Sequence, residues 1–252
     1  MDNLLYISTS GAKENMNALA VRANNLANAK TVGFKADLEQ ARAMQAFGEG
    51  LPTRVFSMTE SPRADFRPGP IMTTGRKLDV AIKEKGFFTV YDSNNREAMT
   101  RNGALKIRND GTLINDRGQV MVGLEGPIVL PVPLQDFQIS PQGQITFRPR
   151  GAAPTETAIA GQLKLQNPPI DNLMKMEDGM FRLKDPLLTE VPPEAVEYND
   201  IQLEFGALEG SNVNPVNEMV AMISLQRQFE MQVKMIKTAE EIEASGTQLM
   251  RS

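Results

Sequence analysis

The 252-residue chain has no cysteine, no histidine and no tryptophan, and only three tyrosines. Lacking Cys and His, it has no thiol nucleophile, no imidazole base, no Ser-His-Asp triad and none of the usual zinc ligand sets. Zero cysteine does not decide the redox compartment, since it suits a reducing cytoplasm and equally a chain that must avoid stray disulfides. An excess of either charge is also missing: 27 Lys and Arg stand against 31 Asp and Glu, for a net −4. There is no basic field to neutralise phosphates, which argues against a nucleic-acid partner. In the amino-terminal MDNLLYISTSGAKEN the longest apolar run is Leu4 to Ile7. Neither a cleaved signal peptide nor a membrane span is expected there, and taken alone this points to the cytoplasm.

What is present begins with enough apolar residues, 41%, for an ordinary globular core. Ala12, Met16, Leu19, Ala23 and Leu26 recur at spacings of four and three, the a/d seam of a coiled-coil-like helix. The expected end of that helix is the TVGF segment, where Gly33 suits left-handed backbone. Asparagine is a poor helix former, yet Asn17, Asn24 and Asn28 share one flank of the helix, with Asn25 beside them. One such residue reads as solvated surface. Several amides where Glu or Lys would make a better exposed helix point instead to hydrogen bonds at an interface.

Residues 36–70 read as an extended arm. The stretch Ala36 to Phe47 begins as a candidate helix continuation and then meets Gly48, Gly50, Pro52, Pro62, Pro68, Gly69 and Pro70. From Ile71 the period changes to two, with Leu78, Val80 and Ile82 alternating with Asp79, Ala81 and Lys83. Similar short runs follow at Leu105/Ile107, Phe137/Ile139, Ile145/Phe147 and Leu163/Leu165. Turn signals separate them at Asp92 to Asn95, Asn102-Gly103, Asn109 to Gly111, Asp116 to Gly118 and Pro141 to Gly143. This middle region is expected to be a mainly β sandwich or irregular barrel.

Beyond Gly206 the helical pattern returns. Asn214 reads as an N-cap, Pro215 as the first helical residue and Glu218 as a carboxylate near the positive end of the dipole. Ser211 and Asn212 exceed what a cap alone needs. Met219, Met222, Leu225, Phe229, Val233, Ile236 and Ala239 form a stripe on a helix that could reach about 50 Å. Its methionines suit ordinary core, and also packing against several non-identical neighbours. Glu240, Glu241 and Glu243 with Lys234 and Lys237 read as a solvated face. The predicted fold class is α+β, a mainly β central domain (71–205) inserted between an N-terminal helix (1–35) with its arm (36–70) and a C-terminal helix (206–252). Because a helix with one apolar stripe is marginal alone in water, the two helices are expected to pair as an antiparallel coiled-coil-like stalk.

Several stretches carry a resemblance. ANNLANAKTVGFK, GRKLDVAI with KGFFTV and TRNGALKI, and LEGSNVNPVNEMVAMISLQRQFEMQVKMI closely resemble the bacterial flagellar basal-body rod and hook family, collinearly over nearly the whole chain. The length, the arm before PGPIMTTGR and the closing RQFEMQVKMI are most similar to proximal rod members, with distal rod members next. Glu84, where a glycine is commoner, and Met99, where an aromatic is commoner, depart from the pattern.

The resemblance implies a structural protein rather than an enzyme, with no catalytic residues, no cofactor and no metal. It implies terminal helices paired in an inner layer, with the β domain facing outward. It also implies export through the flagellar type III apparatus without a cleaved signal peptide, and assembly in the periplasm into the helical rod. The implied partners are further copies of the chain, other proximal and distal rod proteins and the export apparatus, with no nucleic acid and no membrane insertion. The expected subunit-interface residues are Met16, Leu19, Ala23, Asn24, Asn25, Leu26, Asn28, Gly33 and Phe34 from the first segment. From the second they are Ser211, Asn212, Asn214, Met219, Met222, Leu225, Phe229, Val233 and Ile236. Asn24, Asn25 and Asn28 are expected to hydrogen-bond across subunits. The rival readings are a peptidoglycan-binding or hydrolysing β domain, for which the aromatic platform is thin, and a soluble coiled-coil adaptor.

Overall fold

Regular helices form at both ends of the chain, and strands fill the region between them. The structure, a computed structural model, describes residues 2–39, 41–45, 55–59, 63–132, 134–149, 157–184 and 201–249. The fold is α+β, and the chain divides into two units. A helical unit comprises Met1–Ala29, Ala36–Asp65 and Val213–Ser252, and a β unit comprises Lys30–Lys35 and Phe66–Asn212.

In the helical unit α1 (Asp2–Ala27) is followed by four strands, β1 (Asp37–Leu38), β2 (Ala41–Gln45), β3 (Val55–Thr59) and β4 (Arg63–Ala64). Its last element is α2 (Pro215–Leu249), 35 residues long and therefore about 50 Å. Strands β2 and β3 form an antiparallel hairpin from Ala41↔Thr59 to Gln45↔Val55, and β1 pairs with β4. The expected helix continuation from Ala36 is therefore replaced by strands, while Phe47, Gly48, Gly50, Pro52 and Pro62 lie outside the described residues. The cause is local. The Asp37 carbonyl, which a helix would give to residue 41, accepts Asn25 Nδ2 at 2.9 Å, and the Asp37 N–H donates to Asn25 Oδ1 at 2.8 Å. The first helix also ends earlier than the TVGF segment, and just past its end Asn28 Nδ2 turns back onto the Asn24 carbonyl and side-chain oxygens, both at 2.9 Å.

In the β unit the strands are β5 (Ile71–Thr73), β6 (Val80–Ile82), β7 (Phe87–Tyr91), β8 (Glu97–Thr100), β9 (Leu105–Ile107), β10 (Leu113–Asn115), β11 (Val120–Gly123) and β12 (Gly126–Pro127). They continue with β13 (Leu134–Ile139), β14 (Gln144–Pro149), β15 (Ala158–Gln162), β16 (Leu165–Gln166), β17 (Leu173–Lys175), β18 (Phe181–Leu183), β19 (Leu203–Phe205) and β20 (Ala207–Glu209). The largest sheet has the order β17-β18-β8-β7-β11-β10-β9, with β12 on β11 and β16 on β7. Strands β13, β14 and β15 form a second sheet, and the ribbons β19/β6 and β20/β5 complete the set. Phe88, Val90, Leu105, Leu113, Met121, Ile145, Leu163 and Leu165 lie in one core drawn from both sheets, consistent with apolar burial as the main stabilising term.

The turn signals at Asp92 to Asn95, Asn109 to Gly111, Asp116 to Gly118 and Pro141 to Gly143 fall between successive strands. Asn102-Gly103 is different. It joins β8 to β9, which do not pair with each other, and Gly103 lies so close to the Val80 carbonyl that no Cβ would fit. The alternation expected around Val80 also fails, since Asp79 and Ala81 are as buried as Val80 and Ile82. Strand β6 is enclosed on both faces, and Asp79 is made tolerable there by Thr74 Oγ1 at 2.7 Å and the Arg76 guanidinium.

Candidate functional site

The helical unit holds most of the residues expected at an interface. Polar contacts tie α1 to α2. Arg22 Nη1 lies 3.2 Å from both carboxylate oxygens of Glu218, and Asn15 Nδ2 donates to Gln232 Oε1 at 3.1 Å. Gly11 lies beside the same glutamine, where an added Cβ would come within 2.5 Å of Gln232 Nε2. The α1 face turned to α2 is thus marked by Gly11, Asn15 and Arg22, about 110° around the helix from the Met16/Ala23 line at 100° per residue. Ala12 is buried and Leu19 and Leu26 are half-buried, whereas Met16 and Ala23 are exposed.

On α2 the expected stripe is largely the covered one, with Met222, Leu225, Phe229, Val233, Ile236 and Ala239 half-buried and Met219 exposed. The helix also carries a second apolar line on its opposite side. Val216, Val220, Ile223, Met231, Met235 and Ile242 are each 48% or more exposed, and the 3.6-residue period puts them about half a turn from the first stripe. Asn214 caps the helix, its Oδ1 accepting the N–H groups of Val216 at 3.0 Å and Asn217 at 3.3 Å.

The asparagine cluster makes hydrogen bonds within the chain. Asn25 is fully buried, and its amide completes the backbone of Asp37 as described above. Asn24 Nδ2 donates to Asp37 Oδ2 at 3.1 Å, and Asn28 folds back onto Asn24. Within the single chain, Asn24 and Asn25 bond to the strand residue Asp37 and Asn28 bonds to Asn24. Close by, burial raises the Glu39 carboxyl above its usual range, the Glu14 charge adds to that rise, and Arg22 opposes both.

Gly33, Phe34, Ser211 and Asn212 belong to the β unit and come together there. Gly33 has φ +69° and donates its N–H to the Glu209 carbonyl at 2.8 Å. Its α-carbon lies against the Arg101-Asn102 backbone, where a side chain would clash. Phe34 is buried, with Lys175 Nζ 3.9 Å from its ring centroid. The Asn212 N–H meets the Phe34 carbonyl at 3.4 Å, and its Nδ2 donates to the Arg67 carbonyl at 3.1 Å. Ser211 is buried next to it.

Reading for an apolar seam passed over Gly11, Asn15, Arg22 and Gln232, as well as Lys35, Arg101 and Glu209. The available signal was a glycine inside a helix, which costs about 1 kcal/mol against alanine and so implies a close neighbour. Among the described residues no group of three or more Asp or Glu is placed to hold a metal ion, and no helix is long and apolar enough to cross a membrane.

Comparison with known proteins gives three family matches in chain order. They are "Flagella basal body rod protein" over residues 5–35, "Flagellar hook protein FlgE/F/G D1 domain" over 81–147 and "Flagellar basal body rod FlgEFG protein C-terminal" over 205–249. The chain is 36% identical to the flagellar basal-body rod protein FlgF of Salmonella typhimurium over 250 residues, covering 99% of both chains. It is 35% identical to FlgF of Escherichia coli, again over 99% of both. FlgG of Agrobacterium fabrum is 30% identical, with 94% of this chain and 95% of that protein covered. These relatives are structural rod proteins and not enzymes. With whole-length identity of this order and matched segments at both helices and the β region, the chain belongs to the flagellar basal-body rod protein family and is FlgF-like.

Proposed function

We propose that the chain is a structural subunit of the flagellar basal-body rod, of the proximal, FlgF-like kind, which assembles with other rod proteins to transmit motor torque. The observation that carries this reading is the two-sided α2. A helix apolar on one side is satisfied by one neighbour, whereas a helix apolar on opposite sides belongs in the interior of a larger assembly. Its own chain covers the Leu225/Phe229/Val233 face and leaves the Val220/Ile223/Met231 face to solvent. Neighbouring subunits, copies of this chain and other rod proteins, bury the second face.

In this reading α1 and α2 form the antiparallel coiled-coil-like stalk of an inner layer, built from residues 1–35 and 206–252. The arm 36–70 leads to an outer β domain, 71–205. The predicted interface residues act in that layer through Met16, Ala23 and Met219, which are exposed in the single chain. Asn25, Gly33 and Phe34 act indirectly by shaping the ends of the helices. Export through the type III apparatus without a cleaved signal, and assembly in the periplasm, follow from the same reading. The FlgF proteins of Salmonella typhimurium and Escherichia coli, at 35–36% identity against 30% for the FlgG of Agrobacterium fabrum, support the proximal over the distal assignment.

The test is mass spectrometry of basal bodies purified from cells carrying the native gene or its deletion. The chain is expected in native basal bodies, and the deletion strain is expected to lack motility. Native basal bodies without the chain, with the protein retained in the cytoplasm, would overturn the reading.

A further inference from the structure

Lys35 and Glu209 are 174 positions apart and meet inside the β unit. The Lys35 ammonium, 1% exposed, lies 2.6 Å from Glu209 Oε1 and 2.9 Å from the Arg67 carbonyl oxygen. The equally buried Glu209 carboxylate accepts Arg101 Nη1 on Oε2 at 2.9 Å and the Gly69 N–H on Oε1 at 3.0 Å. Arg101 also donates to the carbonyls of Glu84 at 2.6 Å and Ile82 at 3.3 Å, and its guanidinium lies 5.3 Å from the Phe87 ring centroid.

The backbone follows the same joins. The Glu209 carbonyl accepts the Gly33 N–H, the Pro70 carbonyl accepts the Gly210 N–H at 2.8 Å, and β20 pairs with β5. Three passes of chain are therefore fastened together: 30–35, which leaves α1; 66–70; and 207–212, which leads into α2. Burying an ion pair seldom adds much net stability, but removing one member leaves the others desolvated and unpaired, so one arrangement is strongly preferred over its near neighbours.

We propose that Lys35, Glu209 and Arg101 form a charge latch that fastens these three passes to one another and opens as a single element, separately from the β core. The latch closes only when residue 209 has returned to residue 35. The backbone leaving α1 and the backbone entering α2 are therefore set together, by the same three charges. The device belongs to the single chain and does not depend on assembly with other subunits.

Hydrogen exchange of the purified full-length protein, resolved by segment, tests it. In Glu209→Gln the amides of Gly33, Gly69 and residues 207–212 are expected to exchange at least about tenfold faster, while Val90 and Met121 keep their native rates. Unchanged exchange at Gly33 and Gly69 would overturn the latch, as would acceleration of β7 and β11 in the same proportion. If Glu209→Gln does not fold, Lys35→Met combined with Glu209→Met decides. A folded core with fast-exchanging passes upholds the latch, and passes as protected as in the native chain, or an unfolded core, refute it.

Discussion

Arg22 on α1 and Glu218 on α2 lie 196 positions apart in sequence, yet the arginine Nη1 is 3.2 Å from both carboxylate oxygens. The pair is half in water: the arginine side chain is 36% exposed and the carboxylate 10%. Solvent therefore screens it, and Arg22→Ala is expected to cost about 0.5–1 kcal/mol. Glu218 also lies in the first turn of α2, where a carboxylate complements the helix dipole. Glu218→Ala should therefore cost more than Arg22→Ala, and denaturant unfolding of the two variants side by side checks the order. Equal losses would remove the dipole contribution from the account.

Gly11 sets two effects against each other. Alanine there gains about 1 kcal/mol of helix propensity, but its Cβ displaces the Gln232 amide and gives up the hydrogen bond to Asn15, worth about 1 kcal/mol. Gly11→Ala alone should therefore be near neutral. In a Gln232→Ala background the same change should stabilise by about 1 kcal/mol. A double-mutant cycle on unfolding free energy that shows no coupling between the two positions contradicts the close approach.

The asparagines are expected to differ sharply. Asn25→Ala leaves both the N–H and the carbonyl of Asp37 without their partner and should cost about 2–4 kcal/mol. Asn24→Ala and Asn28→Ala, made at exposed hydrogen bonds, should cost under about 1 kcal/mol. Asn25→Asp is expected to be worse than alanine, since a carboxylate would then face the Asp37 carbonyl from a buried position. Midpoints of thermal unfolding for the four variants test the ranking.

Much of this was legible in the sequence, and the exceptions have physical causes. The α2 stripe and its cap could be read because a 35-residue periodic run with an Asn-Pro start has few alternative structures. The short strands around Leu105, Ile145 and Phe147 could be read from their alternation. The burial of Asp79 and Ala81 could not, because a strand covered on both faces has no period to detect. The α1 seam was displaced because its contacts are made by a glycine, an amide and a guanidinium, which an apolar pattern does not record. Asn25 is buried against a strand twelve residues on, and nothing local in the sequence names that partner. Lys35 and Glu209 lie in the GFK and LEG stretches, with no local sign that they meet.

Asp92 links the β unit to pH. Burial works to raise its carboxyl, but the N–H groups of Arg96 and Asn94 and the guanidiniums of Arg182 and Arg96 outweigh burial and bring it down to about 2. A depressed carboxyl contributes stability above its unfolded value of about 3.9 and loses it as pH falls through the folded value. The native chain should therefore lose stability between about pH 4 and pH 2 more steeply than Asp92→Asn. Thermal midpoints measured across that range, with parallel slopes for the two proteins, would refute the role of Asp92.

In the proposed assembly the uncovered face of α2 is where the chain meets other subunits. The most direct measurement of this is the amount of an Ile223→Asp variant in purified basal bodies, by quantitative mass spectrometry, against the native chain and against Gln226→Asp. Ile223 is 53% exposed, so the variant should fold and be exported normally. It is expected to reach basal bodies at less than about a tenth of the native level, because a charge must be desolvated at a packed helix face, while Gln226→Asp is incorporated nearly as well as the native chain. Native-level incorporation of Ile223→Asp would show that this face of α2 is not buried by neighbouring subunits.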